Sequence, residues 1–148
     1  GWDKVMDLNV KSLFFLTQKF APLLRASATA ERPAKVINMA SVDGIHNARP
    51  ETYSYSASKA AVIHLTRRMA KRLVEEHIHV NAIAPGAFAS NMNVWARDNP
   101  EEVTQRIPAR RIGRPDDMAG TAIFMSSRAG DYLVGITIPV DGGVAFAN

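Results

Sequence analysis

Apolar and polar positions alternate along this chain in two different periods. Over residues 2–25, Val5, Leu8, Ser12, Leu16, Phe20 and Leu23 recur at helical spacing, and Pro22 falls near the end. A polar stretch from Ser27 to Pro33 separates that helix from Lys35–Ala40, a short run around Val36 and Ile37 that predicts a buried strand. Ser41–Thr52, with Gly44 and Pro50, reads as a loop. Residues 53–76 give the strongest helical pattern. Lys59, Val62, Thr66, Met69, Ala70 and Leu73 form one stripe, and Arg67, Lys71, Glu75 and Glu76 decorate the other side. Ile78–Ala84 predicts a second buried strand, ended by Pro85-Gly86. The long segment 87–114 holds a short helix near 100–106, and a connection of that length suits a substrate lid. Pro115-Asp116-Asp117 opens a helix to about Ser127, with Pro first and acids in the first turn. Gly135–Val140 predicts a last strand, and Asp141-Gly142-Gly143 turns out of it.

Strands alternating with helices predict an α/β fold: a Rossmann-type parallel sheet covered by helices on both faces, as one domain over residues 1–148. Ligands of such sheets bind beyond the carboxyl ends of the strands. Ser41 and Pro85-Gly86 lie at those ends.

Composition narrows the classes. With 47% apolar and 22% charged residues, the chain reads as globular. No run of about 18 apolar residues predicts a membrane span. Gly1-Trp2-Asp3-Lys4 leads straight into a helix, so no targeting segment is expected there, and the left edge reads as cut. Cysteine is absent, which rules out disulfides and Cys-ligated metals within these residues and fits a reducing, cytoplasmic setting. The net charge of +4 raises the question of nucleic acid. The densest cluster, Arg67-Arg68-x-x-Lys71-Arg72, lies on the polar side of its helix without stacking aromatics, so a solvated face is the better reading. The four histidines, 46, 64, 77 and 79, form no convincing metal set, and no metal site is expected.

The candidate chemistry centres on Tyr55 and Lys59, one helical turn apart on one face. A free phenol ionises near pH 10, so it needs help to act as a base at neutral pH. A neighbouring ammonium favours the phenolate. Such a pair is common by chance. What strengthens it is the small-residue run Ser56-Ala57-Ser58-Lys59-Ala60-Ala61, which lets something large approach. Ser41 stands after the first strand. Its hydroxyl can hydrogen-bond a substrate carbonyl oxygen or cap local backbone, and position alone does not separate the two. No Gly-x-Ser-x-Gly elbow surrounds it, which disfavours an acyl-transfer nucleophile. Asn9 is out of place in a helix interior, and signals a local kink or a functional contact, or else a polar helix–helix contact.

Tyr55-x-x-x-Lys59, preceded by Ile37-Asn38-Met39-Ala40-Ser41, resembles the classical short-chain dehydrogenase/reductases. The likeness extends through Asp7-Leu8-Asn9-Val10, Val80–Gly86, Gly113–Ala119 and Pro139–Gly143, all in family order. The resemblance implies an Asn9–Ser41–Tyr55–Lys59 tetrad that transfers a hydride between nicotinamide and a carbonyl or secondary alcohol. Tyr55 would be the general acid in reduction, and Lys59 would support it and hold the nicotinamide ribose. Ser41 would position the carbonyl, and Asn9 would fix a water that relays protons. Pro85 and Gly86 would bound the nicotinamide, the Phe88 backbone would meet its carboxamide, and Ser90 would stand where the family often has Thr.

The family's Gly-rich pyrophosphate turn is missing, so the likeness covers its C-terminal portion, with the N-terminal strands absent and the first strand left with an open edge. Tyr53-Ser54-Tyr55 and Arg110–Pro115 look most like the 3-oxoacyl-thioester reductase branch, which includes reductases of bacterial hydroxyacyl lipid synthesis; sugar-acid and polyol dehydrogenases share many of these features. Phe88, Met92, Val94 and Trp95 suggest an apolar substrate wall. NADP(H) is expected over NAD(H), with a small-molecule partner and a homotetramer or homodimer built on the Asn9 and Tyr55 helices. The competing readings are a non-catalytic dinucleotide-fold scaffold or sensor, an inactive fragment and, least favoured, a nucleic-acid binder.

Overall fold

The computed structural model describes residues 1–46, 51–90 and 93–147. Three parallel strands, β1 (Ala34–Met39), β2 (Ile78–Pro85) and β3 (Thr137–Val140), lie in the order β1-β2-β3. β1 pairs with β2 from Ala34↔Ile78 to Met39↔Ile83, and β2 pairs with β3 from Ala82↔Thr137 to Pro85↔Val140. β2 is central and carries the driest apolar positions, with Ile78, Val80, Ala82 and Ala84 sealed from solvent. Alternation along β2 assigns its neighbours. The even residues pack against helix α3 (Tyr53–Leu73), through Val62 and Ile63 at one end and Met69, Ala70 and Leu73 at the other. Leu13 and Leu24 of helix α2 (Ser12–Ser27) join the second of these clusters. Helix α6 (Pro115–Ser126) lies over the opposite face, where the odd residue Lys35 reaches Ser127 O at 2.7 Å and the Asp131 carboxylate at 2.6 Å. The expected sheet with helices on both faces is present.

Buried polar residues tie these layers together. Asn38 Nδ2 donates to Thr66 Oγ1 at 2.9 Å, joining β1 to α3. Asn81 uses both ends of its amide, donating to Leu133 O at 2.7 Å and accepting from Ile136 N at 3.0 Å. It thereby fixes the approach to β3. Asn38 and Asn81 are thus both partnered, so neither carries the penalty of an orphaned amide.

The first helix differs from the expected continuous one. It runs as α1 (Trp2–Met6), a π-helical segment over Asp7–Lys11, then α2. Asn9 sits within the π segment, and the Ser12 hydroxyl back-bonds to Leu8 O. α2 then continues past Pro22 to Ser27, with Leu24 beyond the proline packed against the second core cluster. In the long connection two helices form, α4 (Val94–Asp98) and α5 (Pro100–Gln105). The Arg67–Arg72 cluster lies on the exposed side of α3, with Arg72 paired to Glu76 at 2.6 Å. That is the solvated face its composition predicts. No described helix is long and apolar enough to cross a membrane.

The outer edge of β1 has no neighbouring strand among the described residues. Beside it runs a groove of about 500 Å³ between β1 and α2, floored by Val36–Met39 and walled by Leu8, Leu16 and Phe20. The expected open edge is thus present, and it is apolar. Leu8 is 68% exposed and Leu16 59%.

Candidate active site

Tyr55 and Lys59 stand in the first turns of α3, at the carboxyl end of β1. Lys59 Nζ lies 5.5 Å from the centroid of the Tyr55 ring and donates to Met39 O, the last residue of β1, at 2.9 Å. The ammonium is thus held between the phenol and the strand end that leads to Ser41. Burial pushes Lys59 down from its ordinary value, because partial removal from water disfavours the charged form. Tyr53 points outward, 71% exposed, with its hydroxyl near Glu51. Only one of the two tyrosines of the Tyr53-Ser54-Tyr55 run therefore shares a face with Lys59.

Ser41 is buried and caps a short 3₁₀ turn, Val42–Gly44, accepting from Asp43 N at 3.2 Å. This settles part of its ambiguity, since it does cap local backbone. The bond uses an acceptor lone pair and leaves the hydroxyl proton to donate. The turn that Ser41 caps also packs against the Lys59–Ala60 backbone of α3. A Cβ on Gly44 would lie 2.6 Å from Lys59 C and 2.7 Å from Ala60 N, so glycine alone allows this approach. Ala40 N donates to Ile83 O at 2.8 Å and fixes the entry from β1. Beside Ser41, burial pushes the Asp43 carboxyl up while nearby His46 opposes the shift.

Asn9 makes the polar helix–helix contact that was one of its expected readings, and it lies in a π segment, a local departure from the regular helix. Its Nδ2 donates to Ser58 Oγ at 2.9 Å, and the same hydroxyl donates to Tyr55 O at 2.7 Å. Ser58 is fully buried. This relay ties the π segment to the turn that carries Tyr55. It also explains much of the small-residue run: the large body approaching α3 is in part the protein's own π segment and its Gly44 turn. Sequence reading passed over Ser58 and Gly44. Ser58 was legible only as one small residue among several, and Gly44 only as a loop glycine.

Pro85 and Gly86 end β2 as expected, with Gly86 N donating to Val140 O at 2.9 Å. Phe88 behaves differently from a free wall residue. Its backbone bridges Gly113, Gly113 N donates to Ala87 O at 3.0 Å, and its ring covers Gly113 closely. Val94 is 44% exposed. Met92 and the Trp95 side chain lie outside the described residues. Ser90 is exposed and accepts from Asn93 N at 3.0 Å, so its hydroxyl caps the approach to α4. Asn9, Ser41, Tyr55 and Lys59 are linked through Ser58, Gly44 and Met39; Pro85, Gly86 and Phe88 lie on the neighbouring strand end, and Ser90 stands apart in a local cap. Among the described residues no cluster of His, Asp or Glu could hold a metal ion.

Comparison with known proteins agrees with this geometry. A family model described as enoyl-(acyl carrier protein) reductase matches residues 1–145. The rhamnolipids biosynthesis 3-oxoacyl-[acyl-carrier-protein] reductase of Pseudomonas aeruginosa is 49% identical over 146 residues, covering 97% of this chain and 57% of that protein. A 2-dehydro-3-deoxy-D-gluconate 5-dehydrogenase of Dickeya dadantii is 43% identical over 97% of this chain and 56% of its own length. Among solved structures, the Pseudomonas aeruginosa RhlG/NADP active-site complex superposes with a TM-score of 0.94 at 49% identity, over 99% of this chain and 60% of that one. The chain therefore spans little more than half the length of these relatives.

Proposed function

Because this chain belongs to the short-chain dehydrogenase/reductase family, we propose that it carries the proton-handling part of an NADP(H)-dependent oxidoreductase acting on a carbonyl or secondary alcohol. The observation that carries this reading is the Lys59 ammonium held between the Tyr55 ring and Met39 O at the end of β1, with the Ser41–Gly44 turn packed on the Lys59 backbone and the Asn9–Ser58 relay behind Tyr55.

The residues present fit a nicotinamide cofactor. The Lys59 ammonium has three donors, and Met39 O takes one, so others can meet ribose hydroxyls. The Pro85-Gly86 turn closes the neighbouring strand end. The cofactor supplies the hydride. In reduction, the Tyr55 phenol donates its proton to the carbonyl oxygen as negative charge grows there. The Ser41 hydroxyl donates a hydrogen bond to the same oxygen. The Lys59 charge beside the ring stabilises the phenolate left behind. The bond to Ser58 takes one of the two amide donors of Asn9, and the rest of the amide is what would hold a water on the proton path. No Gly-x-Gly-x-x-Gly turn occurs in these 148 residues. Pyrophosphate binding therefore falls to a segment outside them, which would also cover the groove along β1.

A 3-oxoacyl thioester is the proposed substrate class. The likeness to the Pseudomonas aeruginosa reductase supports it. A sugar-acid reading draws on the Dickeya dadantii relative. Exposed Phe14 and Phe15, in edge-to-face contact at 5.4 Å, support self-association through the first helix. The test is a panel: the full-length protein with NADPH or NADH against a 3-oxoacyl thioester, a keto-sugar acid and a simple ketone. Turnover of the thioester with NADPH at the highest kcat/KM is expected. Cofactor binding without turnover of any of the three would overturn the proposal in favour of a non-catalytic relative.

A further inference from the structure

The Asp141-Gly142-Gly143 turn after β3 touches both sides of the site. On the cofactor side, Gly86 lies so close that a Cβ there would meet Asp141 Cα and Cβ at 2.7 Å. On the other side, Ala109 N donates to Gly142 O at 2.9 Å. A Cβ on Gly142 would meet Ile107 Cγ2 at 2.6 Å, and Gly142 and Gly143 hold φ of +66° and +97°. Only glycine takes both conformations freely. Asp141 fixes the turn with two bonds to one carboxylate: Oδ1 accepts from Gly143 N at 2.8 Å and Oδ2 from Ala145 N at 2.7 Å.

Ile107 belongs to a small core of its own. With Ala96 and Val103 it forms a buried cluster, against which Ala87, Ile112 and Val144 pack. Val144 comes from the same C-terminal turn. The segment bearing α4 and α5 is thus packed on itself and on the C-terminal turn, and its core shares no residue with the two clusters over the sheet. A cavity of about 330 Å³, lined by Phe88, Arg111, Asp117 and Asp141 among others, separates its foot from β3. The Ala109–Gly142 bond and the Val144 contact tie that segment to the C-terminal turn.

We propose that Asp141 is a positioning residue for substrate: through the Gly142–Gly143 turn it holds the α4–α5 segment at a fixed distance from the Pro85-Gly86 turn. This rests on the oxidoreductase reading for its functional consequence, but not for the tether itself. Gly86 N is held by Val140 O, a strand bond that does not need the Asp141 carboxylate. Loss of the carboxylate frees the segment and leaves the cofactor turn in place.

The test uses the full-length protein with Asp141→Asn, which offers one amide acceptor where the carboxylate offered two. Amide hydrogen exchange over residues 94–107 is expected to rise at least about tenfold, as for loss of a charge-assisted bond, with β1 and β2 unchanged. The KM for the carbonyl substrate rises about tenfold, while the NADPH dissociation constant stays within about twofold. Unchanged exchange over 94–107 would overturn the proposal, and so would a uniform rise across the chain, which marks a merely structural role. Asp141→Ser, which keeps one short acceptor at the turn and adds no bulk, gives the same two readouts if the Asn variant does not fold. Should the wild-type protein turn over no carbonyl, exchange still decides the tether while the oxidoreductase reading alone fails.

Discussion

Replacing Gly44 by alanine tests how the site is assembled. The added methyl would stand 2.6 to 2.8 Å from Lys59 C, Ala60 N and Lys59 O. Ordinary carbon contacts need about 3.5 Å or more, and these atoms belong to a helix backbone that cannot rotate away. The 3₁₀ turn must therefore retreat by about 1 Å. Overpacking of this kind costs about 1–3 kcal/mol, which for a domain of this size is roughly 2–12 °C in Tm. The functional cost is larger. Gly44 N is bonded to Ser41 O at 3.0 Å, so Ser41 travels with the turn. A misplacement of about 1 Å can cost about a hundredfold in rate. The assay pairs thermal unfolding with steady-state kinetics on the full-length protein. The expected result is a kcat reduced by about ten- to a hundredfold in a protein that still folds. A variant that keeps kcat within about twofold would refute the reasoning, because the turn would not be setting the position of Ser41.

Two further outcomes are expected. Ser58→Ala strands the Asn9 amide and removes the bond to Tyr55 O, at a cost of about 1–3 kcal/mol in chemical denaturation; a loss below about 0.5 kcal/mol would contradict the relay. Lys59 has its folded-state value lowered by burial, so its charge costs stability at neutral pH, and the cost disappears as pH rises toward 10.5. The stability of the wild type relative to Lys59→Met should therefore rise as pH climbs from neutrality to 10.5, and a difference that is flat or falls would show the burial argument wrong.

Much of this architecture was legible because it is periodic. The apolar runs of β1 and β2 and the α3 stripe carry their periods in the sequence, and the strand ends followed from them. Asn9 was legible as an anomaly: a poor helix former among apolar residues, which the structure resolves as a π segment. The unforeseen features are non-local. Gly44 in a loop reads as a turn until Lys59 is found behind it. Ser58 becomes informative only once Asn9 lies opposite. The expected stripe began at Lys59, whereas Ser58 is the sealed position and Lys59 is half-buried, its ammonium at Met39 O. Phe88 promised an apolar wall, but its ring is spent on Gly113, a contact that depends on the far end of the long connection.

In the proposed site Tyr55 moves the proton while Lys59 and Ser41 serve it. Single-turnover oxidation of NADPH by the full-length Tyr55→Phe variant, with a 3-oxoacyl thioester, tests it most directly. The expected rate is lowered by about 10²- to 10⁴-fold, with NADPH affinity near that of the wild type. A rate within about tenfold of the wild type would contradict it.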